Sequence, residues 1–408
     1  MVKRKPRILL CWGYYRKGWI EVFEKLNDDF EFHYLFWLTK EDELEIYTEC
    51  PRHYWEDFKS GQDILRKIQP DKVVFMDVNN LVTLSLQFAC KRKSINTYVL
   101  QHGLFHDLKT NLYLDEQMAK NKITISNYDT TKRKYKWRFL QLFLILRSIT
   151  FRELPYLFKL ISWQWDERKM LHLKALSRHK YSFRQCDHYI VYTKFNGQYF
   201  KEINGISEEK MLPVGVPEFD NFFNHPDIHS ARNRSSDYNL LIDSALTYNE
   251  VFKTNGIVDQ KSYNEFLCRI NQVSLLNGKR LLVKLHPFSY QNANFLQHEN
   301  IEYIKDADMV KLIMNADHIF GFDSTLMLIA MYLKPTILFS IHDFGYLQLS
   351  AKKISAAPVL KFDEFTIDEL QQAMLFKASD KAIQDLIDRF LYATDGKSYT
   401  RIASILAN

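Results

Sequence analysis

The feature that most constrains this 408-residue chain is an alternation. Short apolar runs, each closing on polar residues, are separated by stretches with helical periodicity. Arg7–Trp12 (RILLCW), Glu31–Trp37, Lys72–Met76 (KVVFM), Asn96–Leu100 and His188–Tyr192 read as strands. Helices are expected over Trp19–Leu26, Glu56–Ile68 and Leu81–Lys91. Strands spaced by helices predict a parallel sheet, because parallel neighbours need a long crossover that a helix supplies. Ligands of such sheets meet the carboxyl ends of the strands. Asp77, Gln101, His102 and Thr193 fall at those ends.

The pattern restarts near residue 238. Strands are expected at Asn239–Ile242, Arg280–Leu285, Ile301–Ile304, His318–Phe322, Pro335–Phe339 and Pro358–Phe362. Helices are expected at Lys261–Asn277, Ala307–Asn315 and Leu326–Leu333. Two α/β halves joined near Pro213–Asp237 predict two Rossmann-like domains, 1–212 and 213–380, with closing helices over 381–408. The length allows two or three domains.

One segment interrupts the first half. Residues 131–180 read as a helical insertion carrying 13 Lys/Arg against 3 Asp/Glu. The whole chain has a net charge of +6, so the remainder is acidic and basicity is a local property. Phe139, Leu142, Phe143, Leu146 and Ile149 share a helical face, and Trp163 and Trp165 follow. The longest uncharged run, Phe139–Leu146, is far short of the roughly 20 residues a membrane span needs. A basic, Trp-bearing amphipathic segment is the pattern of an interfacial helix, and 132–165 is expected to meet the inner-membrane surface. A core insertion with solvated Lys and Arg is the competing reading.

Cys11, Cys50, Cys90, Cys186 and Cys268 are far apart with no CxxC pair, which argues for a reducing cytoplasm and against a zinc site. The basic N-terminus leads into too short an apolar run for a secretory signal. No GxGxxG, Walker A, HExxH or GxSxG is present. Asp306-Ala307-Asp308 suits the first turn of a helix better than a metal. No metal, cofactor or nucleic-acid partner is expected.

The chemistry-bearing residues cluster at strand ends. Lys284-Leu285-His286-Pro287 projects a histidine from a stiffened turn, where imidazole can donate to a phosphate oxygen. Gly321-Phe322-Asp323-Ser324-Thr325 opens an apolar helix whose start suits either a cap or a phosphate. Ser244 lies at another strand end. His102 has a suitable pKa for taking a hydroxyl proton, and Asp77, His106 and Asp107 are rival bases. Gly103 permits close backbone approach.

Val283–Pro287 (VKLHP) and Phe322–Thr325 (FDST), with a following helix ending in Lys334-Pro335, resemble the C-terminal half of GT-B capsule enzymes. That group includes bacterial polysialyltransferases, Kdo transferases and the CDP-glycerol glycerophosphotransferases of teichoic acid synthesis. Leu212–Asp220 (LPVGVPEFD) is similar to the segment where such chains cross between domains, with Gly215 and Pro217 as its turn. Gln101-His102-Gly103 resembles the Trp-His-Gly of the glycerophosphotransferases, with Gln in place of Trp. The acidic-acidic-Gly motif of polysialyltransferases is not evident.

The resemblance implies an α/β GT-B fold and an inverting, metal-independent glycosyltransferase. It would move a sugar from a CMP- or UDP-linked donor onto a surface polysaccharide or lipid-linked glycan at the inner membrane. Lys284, His286, Pro287, Asp323, Ser324, Thr325, Ser244 and Gly215 would serve the donor side. His102 or Asp77 would be the base, with Gln101, Gly103, His106 and Asp107 on the acceptor side. A CDP-polyol phosphotransferase, a UDP-sugar 2-epimerase-like enzyme and a non-catalytic polysaccharide-assembly partner are the alternatives.

Overall fold

The computed structural model describes residues 4–11, 17–36, 48–103, 108–109, 112, 116, 130–231, 236–247, 258–290, 294–341 and 351–408. His106 and Asp107 lie outside them. Two compact units emerge. The first is Met1–Asp115, Ser126–Glu218 and Lys397–Asn408; the second is Glu116–Ile125 and Phe219–Gly396. The division falls at Glu218, past the expected 212, and the closing helices are no separate element. Residues up to Gly396 stay with the second unit and the last twelve return to the first.

The first unit is built on seven parallel strands: β1 (Arg7–Cys11), β2 (Glu31–Phe36), β3 (Arg52–Tyr54), β4 (Lys72–Phe75), β5 (Asn96–Leu100), β6 (His188–Val191) and β7 (Met211–Pro213). Their order is β3-β2-β1-β4-β5-β6-β7. The short edge strands β3 and β7 carry little apolar pattern of their own. Side chains alternate across the sheet. Leu9, Val73, Phe75 and Val99 enter one core; Ile8, Leu10, Val74, Tyr98 and Leu100 enter the other.

Helix α1 (Lys17–Glu24) lies among the first-unit elements. Helix α2 spans Gly61–Ile68, not the expected 56–68, because Ser60 caps it by accepting the Asp63 N–H at 3.2 Å. Trp55–Asp57 forms a separate 3₁₀ turn. Helix α3 (Leu81–Lys93) starts where the Asn80 side chain accepts from Val82 and Thr83 N–H. A Cβ on Gly61 would overlap the Ser85 carbonyl, so α2 and α3 meet backbone to backbone.

The insertion forms α4 (Thr130–Ser148), α5 (Leu157–Lys169) and α6 (His172–Arg178), before α7 (Lys194–Asn204). Leu144, Ile145, Leu160 and Trp163 are buried in the first core. The Ser148 hydroxyl accepts the Gly61 N–H at 2.8 Å. A buried Arg92–Glu153 ion pair at 2.6 Å ties the α4–α5 turn to α3. The opposite faces are open: Phe139, Leu142, Leu146, Phe151, Phe158, Ile161 and Trp165 are all exposed. Among the described residues no helix is long and apolar enough to cross a membrane.

The second unit has six parallel strands: β8 (Tyr238–Ile242), β9 (Arg280–Lys284), β10 (Ile301–Ile304), β11 (Ile319–Gly321), β12 (Thr336–Ser340) and β13 (Val359–Lys361). The order β10-β9-β8-β11-β12-β13 reverses between β8 and β11. Helix α8 (Gln260–Leu276) covers one face, with Phe266 packed against Phe322, Phe339, Phe362 and Phe365. Burying one such ring contributes about 2–3 kcal/mol. Helix α9 (Met309–Asn315) is capped by Asp308, which accepts from Val310 and Lys311 N–H, as the Asp306–Asp308 pattern predicts. Helices α10 (Leu326–Leu333), α11 (Ile367–Met374) and α12 (Asp380–Leu386) follow.

The final helix, α13 (Ser398–Ala407), packs on the first sheet. Ile402 and Leu406 are buried there, Lys72 Nζ donates to the Leu406 carbonyl at 2.8 Å, and Arg401 donates to the Val214 carbonyl at 3.1 Å.

Candidate active site

The second sheet concentrates the donor-side candidates. Ile242 is paired with Lys284 on β9 and with Gly321 on β11. Two residues further along each chain are Ser244, His286 and Asp323. Three adjacent strand ends thus bring these residues to one edge, at the point where strand order reverses. That is where open parallel sheets bind ligands.

The residue organising this edge is Asp243, which the sequence placed at a strand end without a role. It is buried and accepts four hydrogen bonds. Oδ1 takes the Ala245 N–H at 3.1 Å and the Tyr263 hydroxyl at 2.9 Å. Oδ2 takes the His286 N–H at 3.2 Å and the Ser289 hydroxyl at 2.6 Å. The loop after β8 and the turn after β9 are therefore fixed to one carboxylate. Ala245 is held at φ +52°, a left-handed conformation unusual for alanine. Pro287 opens the 3₁₀ turn Pro287–Ser289, and Ser289 N–H donates to the His286 carbonyl at 2.8 Å. His286 and Ser244 are half-buried.

Thr325 stands at the start of α10, yet its side chain makes no capping bond. The Met327 and Leu328 N–H groups of that first turn donate to the Ser324 and Thr325 carbonyls at 3.0 and 3.1 Å. Asp323 is exposed, while Ser324 and Thr325 are half-buried. Lys284 is turned aside from the expected role. Its ammonium donates to the Leu285 carbonyl at 2.8 Å and lies 5.6 Å from the centre of the Tyr290 ring. Burial lowers its pKa, against the pull of Asp306 and Asp243. The geometry gives Lys284 a loop-holding part.

In the first unit, Asp77 follows β4 and His102 follows β5, on neighbouring strands. Asp77 accepts the Asn79 N–H at 2.9 Å. Burial raises its carboxyl above the usual range, opposed by that hydrogen bond and by His172 and Arg184. Gln101, expected on the acceptor side, is instead a buried clamp. Its carbonyl accepts the Tyr192 N–H at 2.9 Å, and its amide donates to the Gly103 carbonyl at 2.9 Å and to Asn196. Gly103 adopts φ +71° and donates its N–H to the Tyr192 hydroxyl at 2.9 Å. The glutamine and Tyr192 thus shape the His102 loop from below. Gly215, at φ +92°, donates to the Tyr192 carbonyl at 3.0 Å, a turn role within the first unit. Among the described residues no cluster of three or more His, Cys, Asp or Glu could hold a metal.

Residues 158–408, more than half of the chain, match the family described as CDP-Glycerol:Poly(glycerophosphate) glycerophosphotransferase. The chain belongs to this family. It is a transferase, and its fold is GT-B. No curated protein matches it in sequence. The kitacinnamycin glycotransferase structure is similar at a TM-score of 0.56 and 12% identity, covering 99% of each chain. The calicheamicin glycosyltransferase CalG4 is similar at 0.55 and 13%, covering 99% of this transferase and 98% of that chain. A variant of the wall teichoic acid polymerase TagF is similar at 0.50 and 13%, covering 100% and 89%. At these identities the likeness speaks to the fold.

Proposed function

We propose that this transferase is an inverting, metal-independent glycosyltransferase that moves a sugar from a nucleotide-linked donor onto a surface polysaccharide or lipid-linked glycan. The observation that carries the reading is the row Ser244, His286 and Asp323–Thr325 at the reversal point of the second sheet, with Asp243 holding the first two loops. The donor phosphate would lie against the His286 imidazole and the start of α10. His286, Ser324 and Thr325 would offset the charge that grows on the leaving phosphate. On the acceptor side, His102 or Asp77 takes the hydroxyl proton as the new glycosidic bond forms and the sugar–phosphate bond breaks.

The family match favours one second reading, transfer from a CDP-linked polyol such as CDP-glycerol. The same row would hold the phosphates, but attack would fall on phosphorus and CMP would leave. We also read 132–165 as a peripheral contact with the inner membrane, supported by the exposed aromatic and aliphatic faces of α4 and α5 and their flanking Arg138, Arg147, Arg152 and Lys159.

Calorimetric titration with CMP, CDP, UDP and GDP in EDTA tests the donor assignment. One nucleotide is expected to bind wild-type protein and to lose at least about tenfold in affinity in His286→Ala, in line with a charge-assisted hydrogen bond. Unchanged binding and transfer in that variant would sink the assignment. Product mass from a donor panel separates the two readings, since a polyol-phosphate product gains phosphorus and a glycoside does not.

A further inference from the structure

Tyr192 follows β6, which lies between β5 and β7 in the first sheet. It ties the loops on both sides to itself. Its N–H donates to Gln101 Oε1 at 2.9 Å, and its carbonyl accepts the Gly215 N–H at 3.0 Å. Its hydroxyl accepts the Gly103 N–H at 2.9 Å and donates to the Glu218 carboxylate, 3.4 Å from each oxygen. Gly103 and Gly215, both at positive φ, are thus secured by one residue from either side.

Tyr192 is fully buried. A phenylalanine ring would fill the same space, and burying a hydroxyl costs free energy unless it is bonded. What distinguishes the tyrosine is therefore what its hydroxyl joins. That hydroxyl has one hydrogen, and a carboxylate can only accept. With the hydrogen directed at Glu218, a lone pair is left for the Gly103 N–H, and the direction of both bonds is set. Burial, then the Glu218 charge, push the Tyr192 pKa well above its ordinary value, so the hydrogen is in place near neutral pH. A hydroxyl that donates to a charged group also accepts more strongly, because linked hydrogen bonds polarise one another. Glu218 itself is exposed, in the segment after β7.

We propose that Glu218 is a positioning residue for the acceptor side: through the Tyr192 hydroxyl it fixes the peptide between His102 and Gly103, and with it the histidine read as a base. This rests on the transferase reading above. The Gln101 N–H still bonds to the Ile190 carbonyl at 2.9 Å, continuing the sheet. Beyond it, side chains clamp Gly103 at both ends, the Gln101 amide on its carbonyl and the Tyr192 hydroxyl on its N–H. A proton acceptor has to be held within about 0.5 Å of its working place, and a clamp on the adjoining peptide supplies that restraint.

The test uses the full chain and has two arms. The first needs no substrate. Isotope labelling of histidine carbonyls and glycine nitrogens together singles out the Gly103 amide by NMR, because 102–103 is the chain's one His-Gly pair. Hydrogen exchange at that amide is expected to be about tenfold faster in Tyr192→Phe, which removes the acceptor, and about threefold faster in Glu218→Ala. Glu218→Gln, whose amide oxygen can still accept, is expected to restore most of the protection. The double variant Tyr192→Phe/Glu218→Ala should exchange no faster than Tyr192→Phe, because both changes act through one hydroxyl. An unchanged rate in Glu218→Ala, or effects that add in the double variant, overturns the proposal. The second arm follows transfer. In Glu218→Ala kcat is expected to fall about threefold while KM for the nucleotide-linked donor stays within about twofold, and the double variant should lose no more than Tyr192→Phe. A loss confined to donor KM overturns the proposal. If wild type transfers nothing from any nucleotide-linked donor, the functional reading fails by itself, and the exchange arm still decides whether Glu218 holds Gly103.

Discussion

Asp243 receives donors from positions 245, 263, 286 and 289, which are drawn together only by folding. Removing its carboxylate leaves two hydroxyls and two N–H groups short of an acceptor, each worth about 1–3 kcal/mol when stranded. Asp243→Ala is therefore expected to lower the unfolding midpoint of the second unit by several degrees and to abolish nucleotide binding, read by thermal denaturation and calorimetry together. Asp243→Ala with wild-type nucleotide affinity would show that the two loops hold themselves. The same long-range character explains what the sequence hid. A strand-end aspartate is legible at position 243, but its partners are not. Gln101 was misplaced for the opposite reason: its position at a strand end is evident, while its inward turn depends on Asn196, about a hundred residues away. His286 and the 323–325 motif were legible because each sits directly on a strand end. Lys284 shares that position, and only the Leu285 carbonyl and the Tyr290 ring beside it reveal that its ammonium is occupied.

At the scale of elements, the insertion buries one set of apolar side chains in the first core and leaves a second set exposed. Leu144, Ile145, Leu160 and Trp163 face inward, and Phe139, Leu142, Leu146, Phe158, Ile161 and Trp165 face out at matching helical spacings. Periodicity could not separate these sets, because α4 and α5 are apolar on more than one side and only the packing partner tells which side is spent. Changing Phe158, Ile161 and Trp165 together to Ser is expected to leave the fold intact and to weaken co-sedimentation with anionic lipid vesicles at least tenfold. Burying three such side chains at an interface contributes several kcal/mol. Equal sedimentation of variant and wild type would end the membrane reading of this face. Turn chemistry accounts for the smaller misjudgement at 56–68, where Ser60 was not recognised as a cap and two short helical pieces were read as one.

For the whole molecule, the two parallel sheets were legible from the alternation of runs, since each central strand carries its own apolar signature. The return of α13 to the first unit was not, because a ten-residue amphipathic helix does not say which sheet it will cover. Ending the chain at Gly396 is expected to expose the face of the first sheet around Ile8, Leu10 and Tyr98 and to strand Lys72. Limited proteolysis should then cut the first unit much faster than in the full chain while the second unit resists; equal protection of both would show that α13 is dispensable. The same arrangement has a consequence in time. During synthesis the second unit has every residue of its core available once Gly396 has appeared, whereas the first, begun hundreds of residues earlier, still lacks Ile402 and Leu406. Domains usually mature in the order in which they are made. Here the unit begun first is finished last, so the growing chain must keep one side of its opening sheet unsealed until its final turn of helix arrives.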